Sequence, residues 1–198
     1  KIVDLNRQIL DKLELTCDIT SLPSPFPGEE VRGKLTERTD RYTKRRLYHE
    51  DGRRVSSCFY DDMTEYMNLK AVLSAIDLRY GLIVRYTDQR VFPTVAPLYA
   101  KKHDRDFDEL QNNALDIGTP VAVAHTTTDG KWYYVIDELS SGWVPVEAVA
   151  LCSFAEMQNF TDAEPFVVVT RAKGALFRDA EKRVYHDYAR MGDRKSVV

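Results

Sequence analysis

Arg79-Tyr80-Gly81-Leu82-Ile83-Val84-Arg85, Thr87-Asp88-Gln89-Arg90-Val91-Phe92-Pro93-Thr94, Asp129-Gly130-Lys131-Trp132-Tyr133-Tyr134-Val135 and Ser141-Gly142-Trp143-Val144-Pro145 belong to one stretch, Arg79 to Ala150. Its alternation and turn chemistry describe a small antiparallel barrel. Val121, Val123 and His125 alternate with Ala122 and Ala124, and Trp132 and Tyr134 alternate with Tyr133 and Val135. Two such runs joined by Thr126 to Gly130, ending in Asp-Gly, read as a hairpin. Pro120 stands at the start of the first run, where a missing N–H does least harm to the ladder. Gly142 to Pro145, a short Val146-Glu147-Ala148 turn, then Val149 and Leu151 read as the closing end of this barrel. The long polar segment from Ala100 to Gly118 is where an ordered, functional loop is expected.

Composition bounds the rest. At 198 residues the chain holds one large domain or two to three small ones. Its 11 Tyr, 8 Phe and 2 Trp suit small barrel cores. Residues 1–76 carry 13 basic and 13 acidic groups, residues 77–152 carry 7 and 11, and residues 153–198 carry 8 and 7. With no basic field, nucleic-acid binding has little electrostatic support and no nucleic-acid partner is expected. No apolar run approaches ~18 residues, so no transmembrane helix is expected. The first residue is Lys1, with no apolar signal-peptide region after it, so either a leader has been removed or the sequence is an excerpt.

Cys17, Cys58 and Cys152 are an odd number at long, unrelated spacings. Buried free thiols are the plainer reading, and one disulfide with a thiol left over is the alternative in an oxidising compartment. No close Cys/His pairing supports zinc, and no metal site or cofactor is expected.

Residues 1–76 read as a small helical unit with one hairpin. Asp4 is a fair N-cap, with Leu5, Ile9 and Leu13 on one helix face. Ser21 to Gly28, with three prolines, reads as an extended connector. Glu29 to Arg38 reads as a second short helix, with Val31 and Leu35 four apart. Leu47 to His49 and Arg53 to Val55 flank an Asp51-Gly52 hairpin turn. A third helix is expected from Asp61 to about Ile76, its apolar side carrying Met63, Met67, Leu69, Val72 and Leu73. Residues 77–152 form the barrel. Residues 153–198 open with a linker, Ser153 to Glu164, and then begin a second β module through Phe166 to Val169, a Lys173-Gly174 turn, Leu176-Phe177 and Val184-Tyr185. About 35 residues are short of the ~55–65 at which small domains fold alone, so this module reads as incomplete. The fold class is α+β, mainly β: a helical N-terminal domain, a bacterial SH3-like barrel, and the beginning of a second.

These parts resemble, in order, the N-terminal half of an NlpC-type cell-wall cysteine peptidase, a γ-D-glutamyl-diamino acid endopeptidase. In that family a small clip domain precedes two bacterial SH3 domains and the peptidase comes last. The clip-like part here includes Pro27 to Arg32 and Tyr60 to Leu69. The first SH3 module is Asp77 to Cys152, where the match is most specific. The second begins at Pro165, and its Ala189-Arg190-Met191-Gly192 is similar to a segment inside that module. The family's nucleophile is a Cys in an Asp-Cys-Ser setting with a downstream His. Thr16-Cys17-Asp18, Ser57-Cys58-Phe59 and Leu151-Cys152-Ser153 do not match it, and His49, His103, His125 and His186 carry no recognisable base motif. No catalytic residue is therefore expected here, and the resemblance implies that the catalytic domain lies outside this sequence.

The resemblance implies a non-catalytic region that stabilises a peptidase domain, in cis or in trans, and shapes its substrate cleft. It also implies a peptidoglycan stem peptide as ligand, a place in murein recycling, and a cell-envelope, periplasmic or secreted location. The alternative is a stand-alone SH3-type module binding cell-wall peptide or a protein partner. From the residues themselves, Arg85, Arg90 and Tyr99 read as exposed near the long loop and facing a carboxylate-bearing peptide. Asp88 is counted with them as a substrate-binding candidate; in the competing reading Asp88 and Arg90 pair with each other or brace the loop. Tyr133, alternating with Trp132, reads as an exposed groove position, while Trp132 and Trp143 read as core or groove wall. The open edges of an unfinished β module leave a homodimer by strand pairing as a further expectation.

Overall fold

The computed structural model describes residues 16–196, so the expected helix from Asp4 to Leu13 lies outside the described residues. The chain enters through β1 (Phe26–Pro27) and α1 (Gly28–Thr43). Val31 and Leu35 turn one face of α1 inward, as their four-residue spacing requires. The helix outruns the expected Arg38 end because its last turn also finds a core partner: Tyr42 packs edge-on against Phe92, ring centroids 5.6 Å apart. At the helix start, a Cβ on Gly28 would lie 1.7 Å from the Leu73 carbonyl oxygen, so this close approach admits only glycine.

α2 (Ser57–Tyr66) begins four residues before the expected Asp61 and stops well short of Ile76. Asn68, with φ of 55°, breaks it. Leu69 to Ala71 form a single 3-10 turn, and β2 (Ala75–Ile76) then pairs antiparallel with β1. Of the expected apolar side, Met67 and Val72 are buried while Leu73 is exposed. The Arg32 guanidinium donates to the Val72 carbonyl and holds this return segment against α1.

The next seven strands form one antiparallel sheet: β3 (Arg79–Ile83), β4 (Thr87–Arg90), β5 (Gln111–Leu115), β6 (Pro120–Thr126), β7 (Trp132–Ile136), β8 (Ser141–Pro145) and β9 (Val149–Cys152). Their order is β5-β4-β8-β7-β6-β3-β9. The segment read as a loop through Gly118 therefore contains an edge strand, β5. The Val146 to Ala148 turn sits where the sequence puts it.

The alternation along the central strands serves two apolar layers. Val121, Val123, Val135 and Val144 point into the barrel with Ile83, Leu115 and Val149. The intervening Ala122, Ala124, Tyr134, Ile136 and Trp143 point out, into a core shared with Val31, Leu35, Tyr42, Tyr60 and Met67. The helices thus cover the barrel's outer face. Trp132 and Trp143 are both core residues.

The end of α2 is pinned to the β6–β7 hairpin. Thr128 N–H donates to the Tyr66 carbonyl at 3.2 Å. His125 Nε2 lies 3.0 Å from the Met67 carbonyl and 3.2 Å from that of Asn68, so Nε2 carries the proton. Burial pushes this imidazole below its ordinary pKa against the pull of those carbonyls, which keeps it neutral at pH 7. The turn itself, closed by Gly130 at φ 71°, is organised by Asp129. Partial desolvation raises this carboxyl, but the Lys131 N–H and the Tyr66 and Thr127 hydroxyls outweigh it and hold the pKa at about 2.

After the barrel the sequence was read as a linker from Ser153 to Glu164; instead, α3 (Phe154–Asp162) forms there. Ser153 and Glu156 cap each other's backbone, Met157 is buried, and Phe154 packs on Tyr80 at 4.9 Å. The remaining strands are β10 (Phe166–Val168), β11 (Lys173–Phe177), β12 (Tyr185–Arg190) and β13 (Arg194–Ser196). They pair as β10 with β13 and β11 with β12, in two separate two-stranded sheets. Phe166, Val167, Val168, Val184, Tyr185 and Met191 are exposed. The module rests on the β3–β4 turn. The buried Asp187 carboxylate accepts from Tyr86 N–H at 2.8 Å, Tyr188 stacks on Tyr86, and Arg190 pairs with Asp116 at 3.0 Å.

A depressed carboxyl pKa stabilises the fold above the ordinary value of 3.8, and that contribution disappears as pH falls through about 2. Wild type and Asp129→Asn, compared by urea unfolding from pH 7 to pH 2, are expected to differ most above pH 4 and to converge toward pH 2. A constant difference across that range would show that the Asp129 hydrogen bonds do not carry the charge-dependent stability.

Candidate functional site

Residues 94–110 leave the barrel between β4 and β5 and are tied down at the base by one buried cation. Arg90 is 5% exposed. Its guanidinium donates to the Thr94 carbonyl at 3.0 Å, to the Ala96 carbonyl at 3.1 Å and to Asp108 at 2.5 Å. Asp108 in turn accepts from the N–H groups of Leu98 and Leu110, at 3.1 and 2.9 Å. One ion pair thus closes the loop and satisfies backbone groups on both of its limbs. From outside, Tyr42 of α1 donates to the Glu109 carbonyl at 2.6 Å and Arg45 pairs with Glu109 at 2.7 Å.

The tip of the loop is joined to the Leu47–Val55 hairpin. Tyr48 and Tyr99 exchange two backbone bonds of 2.9 Å each. His49 N–H to Arg53 carbonyl and Val55 N–H to Leu47 carbonyl, at 2.8 and 2.9 Å, complete the hairpin that Asp51-Gly52 forecasts. Between hairpin and loop lies an open groove of about 900 Å³, walled by the hairpin residues His49, Glu50, Asp51, Arg53 and Arg54 and by Val95, Ala96, Pro97 and Arg105 of the loop. Val95 and Phe107 stand out from the loop at 79% and 68% exposure.

The five residues expected to meet ligand do not converge. Arg90 and Tyr99 were read as exposed, and both are buried: a guanidinium with two carbonyls and a carboxylate in reach is better satisfied inside than in water, and Tyr99 is held by its backbone pairing. Arg90 braces the loop, one of the two readings left open for it, and its partner is Asp108. Asp88 accepts from Gln111 at 2.9 Å and from the Tyr86 hydroxyl at 3.2 Å. Arg85 is exposed in the β3–β4 turn. Tyr133 is half-buried on β7, two strands away from β4, with the Arg79 guanidinium 4.8 Å above its ring. Sequence reasoning missed the groove's arginines, Arg53, Arg54 and Arg105; the signal was the pair of arginines directly after an Asp-Gly turn.

The three cysteines are free thiols. Cys17 and Cys152 are half-buried, where desolvation pushes both thiols up, away from the reactive thiolate. Cys58 is exposed on α2, against the expectation of buried thiols. His49 stacks edge-on with Phe59, and His186 Nδ1 accepts from Arg178 at 3.2 Å. Among the described residues no hydrogen bond joins a cysteine to a histidine, and no group of three or more His, Cys, Asp or Glu side chains is placed to hold a metal ion. No described helix is long and apolar enough to cross a membrane.

Residues 97–145, from the loop through β8, match the family model of the SH3 domain, SH3b1 type. The barrel carries an SH3b-type domain. The fold extends beyond it: an NlpC/P60 endopeptidase from Photobacterium damselae subsp. piscicida superposes with a TM-score of 0.70 at 21% identity, over 85% of this chain. That overlap spans 38% of the endopeptidase chain. The likeness is one of fold, and it reaches well beyond the residues of the SH3b match. No protein with a curated description matches the sequence.

Arg90→Met is expected to destabilise the SH3b domain by about 3 kcal/mol, because it leaves Asp108 and two loop carbonyls without their buried donor. Hydrogen exchange read along the chain is expected to accelerate across residues 94–110 and to change little in β6 and β7. Unchanged protection of the loop would deny Arg90 its bracing role.

Proposed function

We propose that this chain is the non-catalytic N-terminal and SH3 region of a murein endopeptidase, working with an NlpC-type peptidase domain in cis or in trans, in the cell envelope or outside the cell. In this reading the helical part and the barrel support the peptidase domain, and the braced loop forms one bank of the cleft that receives a peptidoglycan stem peptide. The observation that carries it is the loop itself. An SH3b-type barrel spends a buried Arg–Asp pair on ordering a segment whose outward side chains, Val95 and Phe107, have no role in its own core. Such a segment is suited to forming a wall against another body. The likeness in fold to an NlpC/P60 endopeptidase supports the nature of that body. Arg90 acts here as a positioning residue, and Arg85, exposed in the β3–β4 turn, is a cation open to a carboxylate of the peptide.

The test is a titration of the isotope-labelled chain with the stem tripeptide L-Ala-γ-D-Glu-diaminopimelate, followed by NMR and by mass analysis of the peptide. Saturable shifts in residues 94–110, weakened in Arg90→Met, with the tripeptide intact, are the expected result. Cleavage blocked by a thiol reagent would overturn the non-catalytic assignment, and absence of any shift in the loop at millimolar peptide would overturn the cleft assignment.

A further inference from the structure

Outside the barrel sheet, two single antiparallel bridges, Tyr48–Arg54 and Tyr48–Tyr99, join the Leu47–Val55 hairpin and the loop into a short ribbon with one open edge, at Arg54. Tyr48 and Tyr99 exchange both backbone bonds. Tyr48 and Arg54 instead face each other as a non-hydrogen-bonded pair, flanked by the His49–Arg53 and Val55–Leu47 bonds. In such a pair the peptide groups of both residues point away from each other. Those of Tyr48 meet Tyr99. Those of Arg54 meet no backbone group among the described residues.

This edge borders the groove of about 900 Å³ described above. The charges there are unevenly matched. Arg53 pairs with Asp51 at 2.5 Å and Arg105 with Glu50 at 3.5 Å, while the exposed Arg54 guanidinium has no carboxylate within 4 Å among the described residues. Across the groove lie Val95, Ala96 and Pro97. The ribbon is firmly based: Tyr99 belongs to the loop that Arg90 holds, and Leu47 and Val55 are buried.

From this edge we infer a docking strand for an extended acidic peptide segment. The incoming strand exchanges N–H and C=O bonds with the Arg54 peptide group and so extends the ribbon by one strand. With side chains alternating between faces, a carboxylate of the incoming strand meets the guanidinium group of Arg54, and small apolar residues on the other face lie against the rest of the ribbon. The inference stands on the backbone geometry at Arg54 and does not rest on the murein reading.

The probe is the capped peptide Ac-Glu-Val-Glu-Val-Glu-NH2, titrated into the isotope-labelled full chain. Two control peptides carry Gln in place of Glu, or an N-methyl group on the central residue. Saturable shifts are expected at the amides of Arg54, Ser56 and Val95. Affinity is expected to fall about tenfold for the Gln peptide and for Arg54→Glu, the loss of one charge-assisted contact. The N-methyl peptide is expected to lose binding, because it cannot complete the ladder. Arg54 is exposed, so the fold of Arg54→Glu is checked by its unchanged far-UV spectrum and Tm. Equal binding of the Gln peptide, undiminished binding of the N-methyl peptide, shifts confined to other surfaces, or no saturable shift would each overturn the proposal. Binding of the acidic pentapeptide at Arg54 by a chain that ignores the stem tripeptide would uphold this inference while the murein reading failed.

Discussion

Burial of the central strands on both faces is the constraint from which the rest follows. In β6, β7 and β8 every residue type is chosen twice over, once for the barrel interior and once for the helical layer outside. Valines fill the narrow interior. On the outer face Ala122 and Ala124 leave room for Tyr134 and Trp143, the large residues that meet α1 and α2. Fully burying one such aromatic side chain is worth about 1.5–3 kcal/mol, so the outer core is no minor addition to a barrel of this size. Several polar groups at the seam are hydrogen-bonded across it, while the Tyr60 hydroxyl and Trp143 Nε1 find no partner among the described residues. Arg38 donates to the Ser141 carbonyl at 2.5 Å, Tyr134 donates to the Ser141 hydroxyl at 2.9 Å, and the buried Gln89 donates to Asp137 at 2.6 Å.

Around that double core the accessory pieces attach by different chemistry. The end of α2 is held by hydrogen bonds to the β6–β7 hairpin, through His125, Thr128 and Asp129. The C-terminal module is held by a buried carboxylate on a backbone N–H and by stacked tyrosines at the β3–β4 turn. Its strands, in two separate pairs with apolar side chains turned outward, take their order from this docking and from α3 more than from any core of their own. The docked module meets the β3–β4 turn, which carries Arg85, while the groove with its arginines lies between the hairpin and the loop.

Where a pattern repeats over short range, the sequence speaks plainly. The Val-Ala alternation of β6, the Asp-Gly turns at 51–52 and 129–130, and the Val31–Leu35 spacing appear in the fold as read, except that a bulge between Val123 and His125 turns His125 away from the valines' face to the helical layer. What escaped is what long-range partners decide. β5, Gln111 to Leu115, is too polar to read as a strand; it forms because its backbone pairs with β4 and because Asn112 bonds Gln89 and the Ser141 carbonyl. α1 outlasts its apolar pattern because Phe92, fifty residues away, receives Tyr42. Arg90 looked like a surface cation since its acceptors, two loop carbonyls and Asp108, become neighbours only on folding. α3 is the exception, because its Ser153 and Glu156 cap was present in the sequence and the surrounding polar residues concealed it.

The buried guanidinium at the base of the loop has a thermodynamic consequence. Fixing a residue's backbone costs about 1–2 kcal/mol in conformational entropy. For a floppy segment that cost falls due when a ligand arrives and is subtracted from affinity. Here Arg90, Asp108 and the Tyr48–Tyr99 bonds have already frozen both limbs of the loop. Association at this surface therefore begins from an ordered state. Substitutions at exposed tips such as Val95 and Phe107 alter what is touched, whereas substitutions at the buried base alter how much disorder must be removed before anything is touched at all.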